Sequence, residues 1–190
     1  MKIFNNLYQK VISWAARPKA VRYLFILSFA ESSFFPIPPD VMLMPMCLAN
    51  KKKVWNFALL TTLASVLGGM FGYFIGYFIF DVLESWLINS NYWDTFQLSK
   101  EWFAEWGLWA VLLAGFSPIP YKIFTIAAGI TGINLFGFIL FSAFGRGARF
   151  FLIAAIIFLF GDRISIILTR YVEFIGWLIV LILAALFLYL

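Results

Sequence analysis

The chain has 190 residues, of which 64% are hydrophobic and 12% charged, against about 45–50% apolar and about 25% charged in ordinary soluble domains. A soluble domain of this size could not bury 24 Phe, 8 Trp and 8 Tyr, so the composition excludes one and specifies an integral membrane protein. The net charge of +5 does not point to nucleic acid, because Lys and Arg gather at the edges of apolar runs, where they set topology and meet anionic lipid. With no His and only Cys47, Ser-His-Asp and Cys-His catalysis, a His-rich metal site and a disulfide framework are all excluded. Cys47 reads as a small apolar residue, and no metal or other cofactor is expected.

Residues 1–17 carry Ile3, Phe4, Leu7, Tyr8, Val11, Ile12 and Ala15 at helical spacing with polar residues between them, which predicts an amphipathic helix lying on the membrane surface. The basic region from Lys2 to Arg22 leads into Glu31 and prolines rather than a small-residue cleavage site, so this segment reads as part of the mature chain. The apolar run from Val21 to Asn50 is broken by Glu31, Pro36, Pro38, Pro39, Asp40 and Pro45. Lipid cannot replace the backbone donors that three prolines in four positions remove, so a simple spanning helix is unsuitable. A re-entrant hairpin fits instead, with arms near 22–34 and 40–50 and a tip near 35–39. It also keeps Lys51, Lys52 and Lys53 on the same side as the basic residues of positions 2–22, as the positive-inside bias requires.

Val54 to Phe80 holds no charge over 27 residues, about 40 Å of helix and enough to cross. Residues 81–106 are acid-rich and aromatic and read as the non-cytoplasmic interface. Leu108 to Gly132 is a second broken stretch, with Pro118, Pro120 and Lys122. Asn134 to Gly161 reads as a second crossing and Phe174 to Leu190 as a final one. This count places the amino terminus in the cytoplasm and the carboxyl terminus outside.

Phe34-Phe35-Pro36-Ile37-Pro38-Pro39-Asp40 aligns with Phe116-Ser117-Pro118-Ile119-Pro120-Tyr121-Lys122 at a constant offset of 82. With one residue of slippage the match runs on through the following helices. Since one crossing separates the hairpins, they enter from opposite faces and form an inverted repeat, whose substrate site belongs near the midplane between discontinuous helices. The expected architecture is all-α: two re-entrant helical hairpins each followed by a transmembrane helix, plus an N-terminal amphipathic helix and a C-terminal transmembrane helix. The corresponding regions are 1–20, 21–165 (repeats near 22–81 and 108–162) and 166–190.

Glu31, Asp40, Lys122, Arg146 and Arg149 fall inside apolar stretches. A centred Asp, Lys or Arg opposes insertion by roughly 2.5–3.5 kcal/mol, so together they cost about 10 kcal/mol before pairing. Arg146 and Arg149 share one helical face, and two guanidinium forks suit an anionic group such as a phosphate. Lys122 pairs with a carboxylate or helps to hold the anion. Glu31 and Asp40, on the two arms of the first hairpin, suit proton carriers; the alternative is that they only neutralise the arginines in structural ion pairs. Gly68, Gly72 and Gly76 form a stripe that reads as helix packing. In the slipped alignment Ser65 and Gly68 stand opposite Arg146 and Arg149, where small residues would leave room for the long side chains.

The segments AESSFFPIPPDV (30–41), AGFSPIPYKIFTIAAG (114–129) and GRGARFF (145–151) resemble the DedA family, closest to its YqaA-like branch, which shares the VTT domain with eukaryotic lipid scramblases. The likeness covers roughly residues 20 to 165. It implies two opposed re-entrant hairpins in the bacterial inner membrane and movement of lipids between leaflets. The substrates it implies are undecaprenyl phosphate, the carrier lipid of cell-wall synthesis, or phosphatidylethanolamine, with dependence on the proton gradient in some relatives. It also implies functional roles for the acidic pair Glu31 and Asp40 and for Arg146 and Arg149. The expected partners are membrane lipids with anionic headgroups, not nucleic acid, and self-association is left open. The alternatives are a proton-coupled small-ion or solute transporter and a non-catalytic membrane scaffold; a lipid-modifying enzyme lacks the residues for bond chemistry.

Overall fold

The computed structural model describes residues 3–88, 93–117 and 120–189. Those residues form seven α-helices, α1 (Ile3–Ala15), α2 (Ala20–Ser33), α3 (Asp40–Ala49), α4 (Val54–Ile88), α5 (Trp93–Phe116), α6 (Tyr121–Thr131) and α7 (Leu135–Tyr189), with a 3-10 turn at Lys51–Lys53. Local chemistry accounts for most boundaries. Pro39, with φ −66°, leads into α3 and places Asp40 in its first turn, where a carboxylate favours the helix dipole. The end of α6 is a glycine cap: Gly132 takes φ 67°, and the Ile133 amide donates back to the Ala128 carbonyl over 3.2 Å, the closing bond of a Schellman turn. Asn134 then accepts the Gly137 amide at 2.8 Å and opens α7.

Two long stretches, Lys51–Phe80 and Leu135–Ile166, are apolar and long enough to cross a membrane. Around them the usual soluble arrangement is reversed. Phe136, Phe144 and Leu159 point outward, about 70% exposed, while Ser28, Ser32, Ser33, Thr61, Ser65, Thr125, Ser142 and Arg146 are buried. Lipid is the solvent that makes such a surface stable.

The order of a helix, a break, a short helix and a long helix occurs twice, as α2–α3–α4 and α5–α6–α7. Packing follows the same order: α2 lies on α4 and α5 on α7, while α6 lies on α4 and α3 on α7. Two apolar clusters result. One gathers Leu24, Leu43, Met46, Cys47, Phe57, Ala58, Phe150 and Ile157; the other gathers Tyr73, Val111, Tyr121, Ala128 and Phe138. Along its length α4 meets the first cluster and then the second, and α7 meets them in the opposite order. On both helices the buried polar residues, Thr61, Thr62 and Ser65 on α4 and Ser142 and Arg146 on α7, lie between the clusters.

Several boundaries depart from those expected. The first long helix runs past Phe80 to Ile88, and α5 begins at Trp93, so much of the acid-rich segment is helical. No turn separates a second crossing from a third: α7 is one helix of 55 residues to Tyr189, about 80 Å long. The expected separate C-terminal transmembrane helix, 166–190, is therefore a continuation of α7, because Asp162, Arg163 and Arg170 add charge but no proline interrupts the run. Pro118 and Ile119 lie outside the described residues. At the basic end, Lys51 pairs with Asp162 at 2.6 Å and joins the start of α4 to α7.

The glycine stripe on α4 is a packing surface. A Cβ on Gly68 would overlap the Phe29 carbonyl of α2, one on Gly72 would overlap the Thr125 side chain, and one on Gly76 would overlap the Ile126 carbonyl of α6. Gly68 therefore admits the α2 backbone and does not make room for Arg149. Gly76→Leu or Gly68→Leu should lower the melting temperature in detergent by roughly 5 °C or more, from overpacking of about 1–3 kcal/mol. Gly147→Ala, whose new methyl meets only Thr62 Cγ2 at 3.6 Å, should leave it unchanged.

Candidate functional site

Arg146 is 2% exposed, the largest side chain so fully buried among the described residues. Its helix approaches α5 closely: a Cβ on Gly145 would stand 2.5 Å from the Leu112 carbonyl oxygen. From there the guanidinium reaches into the packed interior. Its Nε donates to Ser65 Oγ over 2.6 Å, and a terminal nitrogen donates to Glu31 Oε2 and, over 3.4 Å, to Ser32 Oγ. Its central carbon lies 5.0 Å from the Tyr121 ring centroid and 4.7 Å from that of Phe150, within cation–π range of both. A buried charge is tolerable only when it is paired and hydrogen-bonded, and this one has both kinds of partner.

Ser32 and Ser65 join it in one hydrogen-bonded set, with further buried hydroxyls nearby. Ser32 Oγ donates to Glu31 Oε2 at 3.0 Å and lies 2.6 Å from Ser65 Oγ. Ser33 Oγ bonds the Gly68 carbonyl at 2.9 Å, and Tyr121 donates its hydroxyl to Ser142. Thr125 Oγ1 joins α6 to the Ser32 carbonyl at 3.3 Å.

One turn further along α7, Arg149 donates to Asp40 Oδ2 and to the Ser117 carbonyl at the end of α5. Both side chains of this pair keep some exposure, 18% for Arg149 and 16% for Asp40. Asp40 Oδ1 is buried without a hydrogen-bond partner among the described residues. Lys122 donates to the Phe34 carbonyl at 3.2 Å. Both helix breaks thus leave a C-terminal carbonyl that a cation satisfies, as the dipole favours.

These side chains border a cleft of about 160 Å³, lined by Glu31, Lys122, Arg146 and Arg149 with Phe35, Pro36, Pro38, Pro39 and Pro120. Three cations face two carboxylates around it, so the site carries a positive excess. Of the five charges singled out in the sequence, four line the cleft and Asp40 adjoins it through Arg149; the pairs Arg146–Glu31 and Arg149–Asp40 join α7 to the first broken segment. Pro36, Pro38, Pro39 and Pro120 stand at the cleft, while Pro118 is outside the described residues. Gly68, Gly72 and Gly76 lie behind it as packing contacts. Sequence reasoning missed Ser32, Tyr121, Thr125 and Phe150. Ser32 carried a signal, a Ser pair inside an apolar helix beside Glu31; Tyr121 and Phe150 carried none in a chain so rich in aromatics.

The arrangement is that of a helical membrane protein with a charged cleft between two broken helices. The VTT domain matches residues 35–159, and this protein belongs to that family, the DedA family. It is 41% identical to an uncharacterised protein of Haemophilus influenzae over 95% of this chain and 94% of that one. It is 43% identical to an uncharacterised protein of Histophilus somni over 96% and 95%. It is also similar to undecaprenyl phosphate transporter A of Staphylococcus aureus, at 25% identity over 64% of each chain. No solved structure matches at a significant level.

The buried pair makes a stability prediction. Glu31→Leu strands the Arg146 charge and should destabilise the protein by about 3–5 kcal/mol, whereas the double variant Glu31→Leu/Arg146→Met should recover most of that loss. Thermal denaturation in detergent of the two singles and the double measures the coupling.

Proposed function

We propose that this protein moves a lipid with a phosphate-bearing headgroup, such as undecaprenyl phosphate or a phospholipid, between the leaflets of the inner membrane. The observation that carries the reading is the convergence of Arg146, Arg149, Lys122 and Glu31 on one cleft at two helix breaks, with Asp40 paired to Arg149 beside it. Such a cluster opposes membrane insertion and stabilises less well than apolar packing, so its retention needs a functional reason. The opposite order in which α4 and α7 meet the apolar clusters supports an inverted repeat with re-entrant broken segments. In that architecture the site sits at the midplane, and half-helix N-termini favour anions. Here α3 and α6 both start beside the cleft, at Asp40 and Tyr121. The name of the staphylococcal relative points to the same chemistry.

In this reading the headgroup phosphate sits against Arg146 and Arg149 while the hydrocarbon stays in lipid. Each arginine is occupied by a carboxylate in the present structure, so an incoming phosphate must displace it. Protonation of Glu31 or Asp40 frees the guanidinium fork for the anion, and deprotonation returns the carboxylate and expels the anion. That exchange couples lipid movement to a proton. Alternating opening of the two broken segments would expose the cleft to each leaflet in turn. The basic residues of positions 2–22 and Lys51–Lys53 favour a cytoplasmic amino terminus in this reading.

In reconstituted vesicles, Arg146→Ala should lose both headgroup binding and transfer. Glu31→Gln should keep binding but lose transfer by about tenfold or more, since the neutral amide cannot compete for the arginine. Unchanged lipid transfer in Arg146→Ala overturns the assignment. The small cleft also suits a free anion; flux of a small anion with no change in lipid sidedness would identify a solute carrier instead.

A further inference from the structure

Two apolar grooves flank the charged cleft, one on each broken segment. The first, about 490 Å³, lies between α5 and α6 and is lined by Trp106, Trp109, Leu113, Phe116, Ser117 and Phe124 together with two alanines. The second, about 410 Å³, lies between α2 and α3, with Trp14 of α1 on one wall; Tyr23, Ile26, Leu27, Phe35 and Met42 complete most of its lining. Three lining positions correspond at the offset of 82 that relates the proline segments: Leu27 with Trp109, Phe35 with Ser117, and Met42 with Phe124. The two grooves therefore occupy the same place in the two halves of the chain.

Each groove also runs to the cleft. Phe35 lines both the second groove and the cleft. At the first, Ser117 lines the groove and its carbonyl receives the guanidinium of Arg149, which itself lines the cleft. A cationic cleft with an apolar slot leading away on either side has the polarity of a phospholipid or polyprenyl phosphate, charged at one end and hydrocarbon at the other.

We propose that the two grooves are the hydrocarbon-chain subsites of a phosphate-bearing lipid, one used when the headgroup enters the cleft from one leaflet and the other when it leaves toward the opposite leaflet. This deepens the transport reading and rests on it. Bilayer chains are as apolar as the grooves, so entry gains nothing from the hydrophobic effect. What the grooves contribute is shape. They hold the chain beside the cleft, so that only the headgroup has to cross the polar layer, and packing against Trp109 or Tyr23 selects long chains over short ones.

The test uses the full chain in phosphatidylcholine vesicles containing a little phosphatidic acid with a photoactivatable diazirine at mid-chain. Labelling should concentrate in the α5–α6 and α2–α3 grooves and be competed by unlabelled phosphatidic acid but not by diacylglycerol. Leu113→Trp and Ile26→Trp each fill one groove at a position more than half exposed, where the core is not disturbed. Each should reduce labelling of its own groove by about threefold to tenfold and spare the other. Labelling spread along outward residues such as Phe144 and Leu159, or not competed by phosphatidic acid, overturns the proposal and leaves ordinary surrounding lipid. Loss of lipid transfer in Arg146→Ala without groove labelling would keep the headgroup site and remove the chain subsites. Competed groove labelling in a protein that transfers no lipid would keep the subsites and remove the transport reading.

Discussion

The structure is organised around one buried guanidinium. Arg146 cannot sit in the interior of an apolar bundle without partners, and its partners come from three other helices and its own: Glu31 and Ser32 from α2, Ser65 from α4, Tyr121 from α6, and Phe150 one turn along α7. Satisfying this charge ties α7 of the second half to α4, on which it packs, and through the Arg146 side chain to α2 of the first. The same demand explains why polar side chains are concentrated in one layer between two apolar clusters, rather than scattered through the bundle. Scattered polar groups would each need their own partner, whereas a connected layer satisfies them mutually.

The helix breaks belong to the same economy of charge. Ending α2 at Ser33 and α5 at Phe116 frees backbone carbonyls beside the cleft. Lys122 and Arg149 take up the carbonyls of Phe34 and Ser117, so two of the cations do structural service while facing the cleft. In the proposed transport reading, a ligand that draws Arg149 toward itself would weaken its hold on Asp40 and on the end of α5 together, and so would couple occupancy of the cleft to the position of a broken helix.

The close packing around this layer is purchased with small residues. Gly68, Gly76, Gly129 and Gly145 each meet a neighbouring backbone carbonyl where a Cβ would collide, and in lipid such close approach is a main source of helix association. Their positions keep α2, α5 and α6 near enough to α4 and α7 for short side chains such as Ser32, Ser65 and Thr125 to bridge them. Longer separations would have needed longer polar side chains or water, and with them a wider and less selective cleft.

Composition and pattern by themselves determined that the chain is helical and built for lipid. They determined where its prolines interrupt it, so that the arms expected at 22–34 and 40–50 correspond to Ala20–Ser33 and Asp40–Ala49, and they picked out five charges too costly to be incidental. These features are legible because membrane insertion penalises every charge and every unpaired backbone group wherever it falls along the chain. Only the tertiary structure decided which carboxylate meets which arginine, since Glu31 and Arg146 are 115 residues apart and either pairing satisfied the sequence. It also decided that Gly68 admits the backbone of α2, that Tyr121 and Phe150 enclose the Arg146 guanidinium, and that α7 continues without a turn. Each of these depends on distances between helices, and one-dimensional periodicity carries no information about those.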